Sequence, residues 1–201
     1  MNLEKIIMEK DKNRIFIIGI DGLGGSGKTT FTKSLEIEMR KKGLKISVLH
    51  IDDFIHPKNV RYNNSISEWK CYYDLQWRYD YLIDEILLPI KMGHLINKQI
   101  ELYDKDKDAY MHHHLKMDLD NILIIEGVFL QRAEVRPFLD YVIYIDVPKE
   151  ERLKRALARD IYIGDKPAIL TKYEKRYFPA EDKYVSEYNP AKKADWTITR
   201  F

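Results

Sequence analysis

The chain holds one cysteine, Cys71, among 201 residues. A lone cysteine closes no internal disulfide, so burial and hydrogen bonding must hold the fold, and a reducing, cytoplasmic setting is expected. An excess of charge of one sign is also missing. The 34 lysines and arginines nearly cancel 32 acidic residues, leaving +2. That balance provides no basic field for nucleic acid or an anionic membrane, and neither is expected as a partner. No apolar run approaches the length of a membrane span. Met1 to Arg14 is too charged for the core of a signal peptide, and residues 1–13 read as a polar arm or fraying helix. Repeats and low-complexity tracts are absent. What remains is 45% hydrophobic and 33% charged, the composition and length of a single α/β domain over residues 1–201.

Glycine is sparse as well, nine in all, yet four stand within residues 22–27. Gly22-Leu23-Gly24-Gly25-Ser26-Gly27-Lys28-Thr29 fits the phosphate-binding pattern of Gly, four residues, then Gly-Lys-Ser/Thr. At average composition this pattern arises by chance in roughly 1% of chains this long. Its glycines allow backbone angles closed to other residues, so successive amides can face one concavity and cradle phosphate oxygens. Lys28 brings charge to the β- and γ-phosphates, and the Thr29 hydroxyl can ligate Mg²⁺. The expected nucleotide contacts are Gly22, Gly24, Gly25, Ser26, Gly27, Lys28, Thr29 and Thr30.

The context is strand, loop, helix. Ile15–Ile20 is a buried-strand run, and Lys28–Lys42 carries Phe31, Leu35 and Met39 at helical spacing before Gly43. Further strands are expected at Lys45–Ile51, Asn121–Gly127, Tyr141–Val147 and Asp195–Thr199. Helices are expected at Leu75–Met92, from Pro148 to Asp160, and at Ala168–Val185 with a break at Pro179. Residues 98–117 read as a hairpin flap around the charged turn Asp104–Asp108. Strands alternating with helices predict a five-stranded, mostly parallel sheet with helices on both faces, plus the flap and a lid over 150–170. Ligands of such sheets bind beyond the carboxyl ends of the strands. The phosphate loop, Asp52 and Glu126 all fall there.

Those residue types suit phosphoryl transfer, which needs neutralised phosphate charge, an aligned hydroxyl and exclusion of water. Glu126 reads as a metal ligand or its support. Asp52 or Asp53 can take the acceptor's proton, although Asp also caps turns. Arg152, Arg155 and Arg159 share a helical face, either as a lid over the transferring phosphate or as a solvated face paired with Glu151 and Asp160. His112-His113-His114 alternates across a strand and reads as a polar flap edge rather than a chelate. The tyrosines of 62–110, with Trp69 and Trp77, fit a stacking wall or plain core packing.

Together, Gly19-Ile20-Asp21-Gly22 with the loop, Asp52-Asp53-Phe54, Ile125-Glu126-Gly127 and Arg152-Leu153 through Arg159-Asp160 resemble the uridine kinase-like family of P-loop kinases. The resemblance runs from Ile15 to Ile198. It implies ATP-dependent transfer to a small-molecule hydroxyl, with Mg²⁺. By resemblance Asp52 is the catalytic base, acting with Lys28, Arg155 and Arg159. Arg152 joins the nucleotide contacts, Thr29 and Glu126 hold the metal, and Asp53, Asp74 and Tyr103 contact substrate. Two departures stand out. Asp108 occupies the region where uridine kinases carry a histidine, and Ile161–Lys166 lacks the family's second arginine cluster. A nucleoside-like acceptor, uridine or cytidine first, is expected. Nicotinamide riboside, pantothenate or a sugar phosphate are the alternatives, or a nucleotide-dependent switch without an acceptor. A homo-oligomer is left open.

Overall fold

The structure is a computed structural model and describes residue 7 and residues 11–199. The amino-terminal arm expected over 1–13 falls mostly outside that range. Five strands form one all-parallel sheet in the order β2-β5-β1-β6-β7. They are β1 (Phe16–Gly22), β2 (Ile46–His50), β5 (Ile122–Gly127), β6 (Tyr141–Ile145) and β7 (Trp196–Ile198). The remaining two, β3 (Ile96–Asp104) and β4 (Ala109–Met117), pair as the antiparallel hairpin.

Every residue of β1, β5 and β6 is buried. That matches their unbroken apolar runs, since a strand covered on both faces cannot alternate with polar residues. The two faces are distinct. Ile18, Ile20, Ile122, Ile124, Ile143 and Ile145 pack toward α1 (Lys28–Lys41), while Ile17, Leu123, Ile125 and Val142 pack toward the other layer. This is the period-two geometry of strands. At the sheet's carboxyl edge Gly127 is forced: a Cβ there would overlap Ile51. Ile51 begins a single tight turn, Ile51–Asp53, directly after β2. The close approach fixes Asp52 beside the end of β5.

Of the helix expected at Leu75–Met92 the structure forms α3 (79–91), and a separate helix not expected from the sequence, α2 (68–75), ends where it was to begin. The break lies at Gln76–Arg78, where the chain pairs with the segment following Asp52. His56 N donates to Gln76 O at 2.9 Å, and Arg78 N donates to Phe54 O at 2.9 Å. Those two bonds substitute for the helical ones.

After β6, Pro148 caps α4 (Lys149–Arg159), and α5 runs unbroken through 166–188. Pro179 does not break it. A wide (π) turn, Tyr173–Tyr177, stands just before Pro179, and another, Ile83–Leu87, stands just before Pro89. Proline clashes with the carbonyl four residues back, and a widened turn relieves that clash. No helix among the described residues is long and apolar enough to cross a membrane.

Candidate active site

The phosphate loop bridges β1 and α1 at the centre of the sheet. Gly25 (φ 79°) and Gly27 (φ 95°) are left-handed, and Gly27 caps α1. The loop amides and the amino end of α1 therefore face one cleft, which favours an anion. Lys28 Nζ reaches back across the loop to Leu23 O at 3.1 Å. Burial lowers the Lys28 pKa, and Glu126, Asp52, Asp21 and Glu181 push it back up.

Loop position is set from behind. Arg152 is buried and donates to Gly24 O at 3.1 Å, Val147 O at 3.1 Å and Glu181 Oε2 at 2.7 Å. Glu181 Oε1 in turn accepts from Gly24 N at 2.8 Å. Arg155 donates to Ser26 O at 3.2 Å. The three arginines of α4 do share a face, and that face lies mainly along the loop. This corrects the placement of Arg152: it braces the loop from behind and does not line the cleft. Arg155 grips the loop backbone, whereas Arg159 reaches the cleft wall. Arg159 is held there by Asp160, through Nε to Oδ1 at 2.6 Å and Nη2 to Oδ2 at 3.0 Å.

Glu126 ends β5 and faces α1. Thr29 Oγ1 lies 3.3 Å from both of its oxygens, and His50 Nδ1 lies 2.8 Å from Oε1. Burial alone would raise the Glu126 pKa. The His50 hydrogen bond, the Lys28 charge and the Thr29 hydroxyl outweigh it, so the carboxyl stays below its ordinary value. The Glu126 hydrogen bond raises His50. Among the described residues, no group of three or more His, Cys, Asp or Glu side chains could hold a metal alone. A hydroxyl and one carboxylate are nonetheless the oxygen donors that suit Mg²⁺, which takes one or two carboxylates and completes its shell with phosphate and water.

Asp52 lines the same cleft, together with Gly24, Gly25, Lys28, Thr29 and Glu126. Asp52 is open to solvent in the cleft, and the protein mass around it still pushes its carboxyl above the ordinary value; the Lys28 charge opposes that and the Glu126 charge adds to it. A carboxylate so tuned is suited to accept a proton.

Other expected residues lie elsewhere. Asp74 is exposed on α2 and does not line the cleft; Tyr72 and Gln76, two residues to either side, do. A helix turns side chains two apart to opposite faces, which is why the acid points away. Tyr103 is buried and touches the cleft only through Arg61, whose Nη2 donates to its hydroxyl at 2.8 Å. Asp53 and Thr30 are not among the lining residues either. His112, His113 and His114 are all exposed.

Motif reading missed several residues of the cleft, Arg61, Tyr162, Arg176, Tyr177 and Glu181; Tyr62 and Tyr72, of the tyrosines read as a stacking wall or core, also line it. It also missed Asp21, fully buried behind the loop, which accepts from Tyr184 Oη at 2.5 Å, Gly22 N at 2.8 Å and Gln131 Nε2 at 3.0 Å.

A phosphate loop on a five-stranded parallel sheet, with acids at the neighbouring strand ends, defines a P-loop kinase fold. Residues 17–201 match the sequence model of the Phosphoribulokinase / Uridine kinase family. The chain is 30% identical over 146 residues to a uridine kinase of Staphylococcus haemolyticus, covering 72% of this chain and 68% of that one. It is 28% identical over 190 residues to uridine-cytidine kinase B of Dictyostelium discoideum, covering 92% and 74%. Among solved structures, a possible uridine kinase from Bacillus stearothermophilus superposes with a TM-score of 0.79 at 31% identity, covering 96% of this chain and 94% of that one. The chain belongs to the phosphoribulokinase/uridine kinase family, and it is a phosphotransferase with an alcohol group as acceptor.

Proposed function

We propose that the protein transfers the γ-phosphate of ATP to a hydroxyl of a nucleoside-like small molecule. Uridine and cytidine are the first acceptors to assay, because relatives spanning most of this chain are uridine and uridine-cytidine kinases. The observation that carries the reading is the convergence of Lys28, Thr29, Glu126 and Asp52 on one cleft.

The loop amides and Lys28 hold the triphosphate. Asp52 orients the acceptor hydroxyl and takes its proton as the O–P bond forms. Thr29 and Glu126, the latter oriented by His50, would hold Mg²⁺, which when bound neutralises charge on the β- and γ-phosphates. Arg159 closes the cleft from the far side, and residues 98–117 and 150–170 act as flap and lid. The test is acceptor-stimulated ADP release with Mg²⁺ and ATP, repeated on Asp52→Asn. The variant loses about 10²–10⁴-fold in kcat and still binds ATP. Normal turnover by this variant removes Asp52 from the chemistry.

A further inference from the structure

Arg176 lines the cleft, yet it is 1% exposed and has neutral partners only. Its Nη2 donates to Gln76 Oε1 at 2.8 Å and its Nη1 to Glu68 O at 3.2 Å. Its guanidinium lies 4.4 Å from the Tyr62 ring centre and 5.3 Å from that of Tyr72. Arg61, half-buried rather than buried, repeats part of the pattern. It donates to the Tyr103 hydroxyl, its Nε is buried without a partner, and it lies 5.5 Å from the Tyr62 ring centre. Asp108 forms no ion pair with it, although the two charges attract at longer range, and Asp108 accepts from the Tyr103 hydroxyl at 2.6 Å. Among the described residues, no carboxylate forms an ion pair with either arginine.

Buried charges are ordinarily paired, because an unpaired one keeps its full desolvation cost. Two guanidiniums over one ring also repel each other. The carboxylates of the cleft are already engaged. Glu181 holds Arg152, Asp160 holds Arg159, Glu126 meets His50 and Thr29, and Asp52 faces Lys28. Lys105 lines the same cleft but answers the charges of Asp52 and Asp53, whereas Lys172 Nζ lies 5.3 Å from the Tyr62 ring centre. Positive charge around Tyr62 thus exceeds what the protein neutralises. It lies apart from the phosphate loop, on the connection that follows Asp52 and on α5.

We propose that the acceptor carries an anionic group, a carboxylate or a phosphate, which seats between Arg61 and Arg176 while the reacting hydroxyl faces Asp52. The inference rests on the phosphotransferase reading above and departs from it in the acceptor, placing an anionic alcohol ahead of neutral uridine and cytidine. Tyr62, Tyr72 and Tyr177 supply apolar walls, and the two guanidiniums supply planar, charge-assisted donors that match either anion.

The experiment measures ADP release by the wild-type protein with matched acceptors. One arm pairs hydroxy-carboxylates such as D-glycerate and pantothenate with their amides. A second pairs sugar phosphates with the free sugars. Uridine and cytidine form the neutral reference. An acid exceeding its neutral counterpart by roughly 100-fold in kcat/KM supports the proposal, and the arm in which it occurs distinguishes carboxylate from phosphate. Arg176→Met then lowers kcat/KM for that acid by a similar factor with the KM for ATP unchanged, and Arg176→Lys restores part of it. Uridine or cytidine performing as well as every acid overturns the proposal and leaves the kinase reading intact. The wild-type panel decides this even where the variants fail to fold. No release with any acceptor overturns both.

Discussion

The buried Arg152–Glu181 pair gives the sharpest test of how the phosphate loop is held. Arg152→Met removes the charge and keeps most of the volume. It deletes three bonds, to Gly24 O, Val147 O and Glu181 Oε2, and leaves Glu181 ionised at 2% exposure. Breaking a buried pair from one side costs about 3–5 kcal/mol, chiefly from the stranded charge. For a domain of this size that is a fall in Tm of roughly 6–20 °C. The sign of the pH dependence follows. Burial already raises the Glu181 pKa, against the pull of Arg152. Without Arg152 it rises further above its unfolded value, so the folded state binds the proton more tightly than the unfolded state. Stability is then retained at low pH and lost as pH climbs from the unfolded toward the folded pKa. Urea titrations at pH 5 and 8 therefore show the variant's deficit shrinking on acidification. Arg152→Met/Glu181→Leu, which leaves no stranded charge, recovers much of the loss, but not the KM for ATP, because Gly24 has lost its anchor. A single variant within about 1 kcal/mol of wild type, with a pH-independent deficit and unchanged KM for ATP, refutes the bracing role.

Three further outcomes follow from the site. In the wild type, kcat/KM for the acceptor falls below a single ionisation, displaced upward from an ordinary aspartate because the surrounding protein and the Glu126 charge raise Asp52; a pH–rate profile shows that limb, and Asp52→Asn lacks it. His50→Ala, assayed at pH 8, raises the Mg²⁺ concentration for half-maximal rate by about 10–100-fold through loss of its bond to Glu126; an unchanged Mg²⁺ titration rejects His50 as the group that orients the metal-side acid. Gly127→Ala drives a methyl into Ile51 and costs about 1–3 kcal/mol in urea unfolding. It also lowers kcat, since Asp52 follows Ile51 in the same turn; an unfolding midpoint equal to that of the wild type refutes the close approach.

The central sheet and its loop are legible from sequence for a physical reason. Strands buried on both faces must be apolar without interruption, and 15–20, 122–125 and 141–147 have no other use for such runs. The glycine crowding at 22–27 is similarly forced, because a cradle of amides excludes side chains. The hairpin is legible from its charged turn. What failed to show was which neighbour each helical face meets. Spacing puts Arg152, Arg155 and Arg159 on one stripe, but only the packing of α4 against the loop makes two of them braces. Asp74 is the counterpart case. A helix expected from Leu75 onward carries no sign of the break at Gln76–Arg78, which comes from pairing with residues 54–56 far away in sequence. Prolines at 89 and 179 mislead similarly, since the wide turns that absorb them leave no local trace.

The cleft thus has two halves with different origins. Strand ends supply the donor half, whose residues sit in short motifs because backbone geometry dictates them. Connecting segments and helices supply the other half: Arg61 and Tyr62 from the run after Asp52, Tyr72 from α2, Gln76 from the break that follows it, Tyr177 and Arg176 from α5. Nothing in backbone geometry constrains those residues, so no motif marks them and family membership says little about them. One signal was present. Arg176 stands among Tyr173, Tyr177 and Phe178, an arginine within an aromatic run. The transfer chemistry is therefore common property of the fold, while the choice of acceptor rests with a few side chains on the connections, and charge there is the feature to read first.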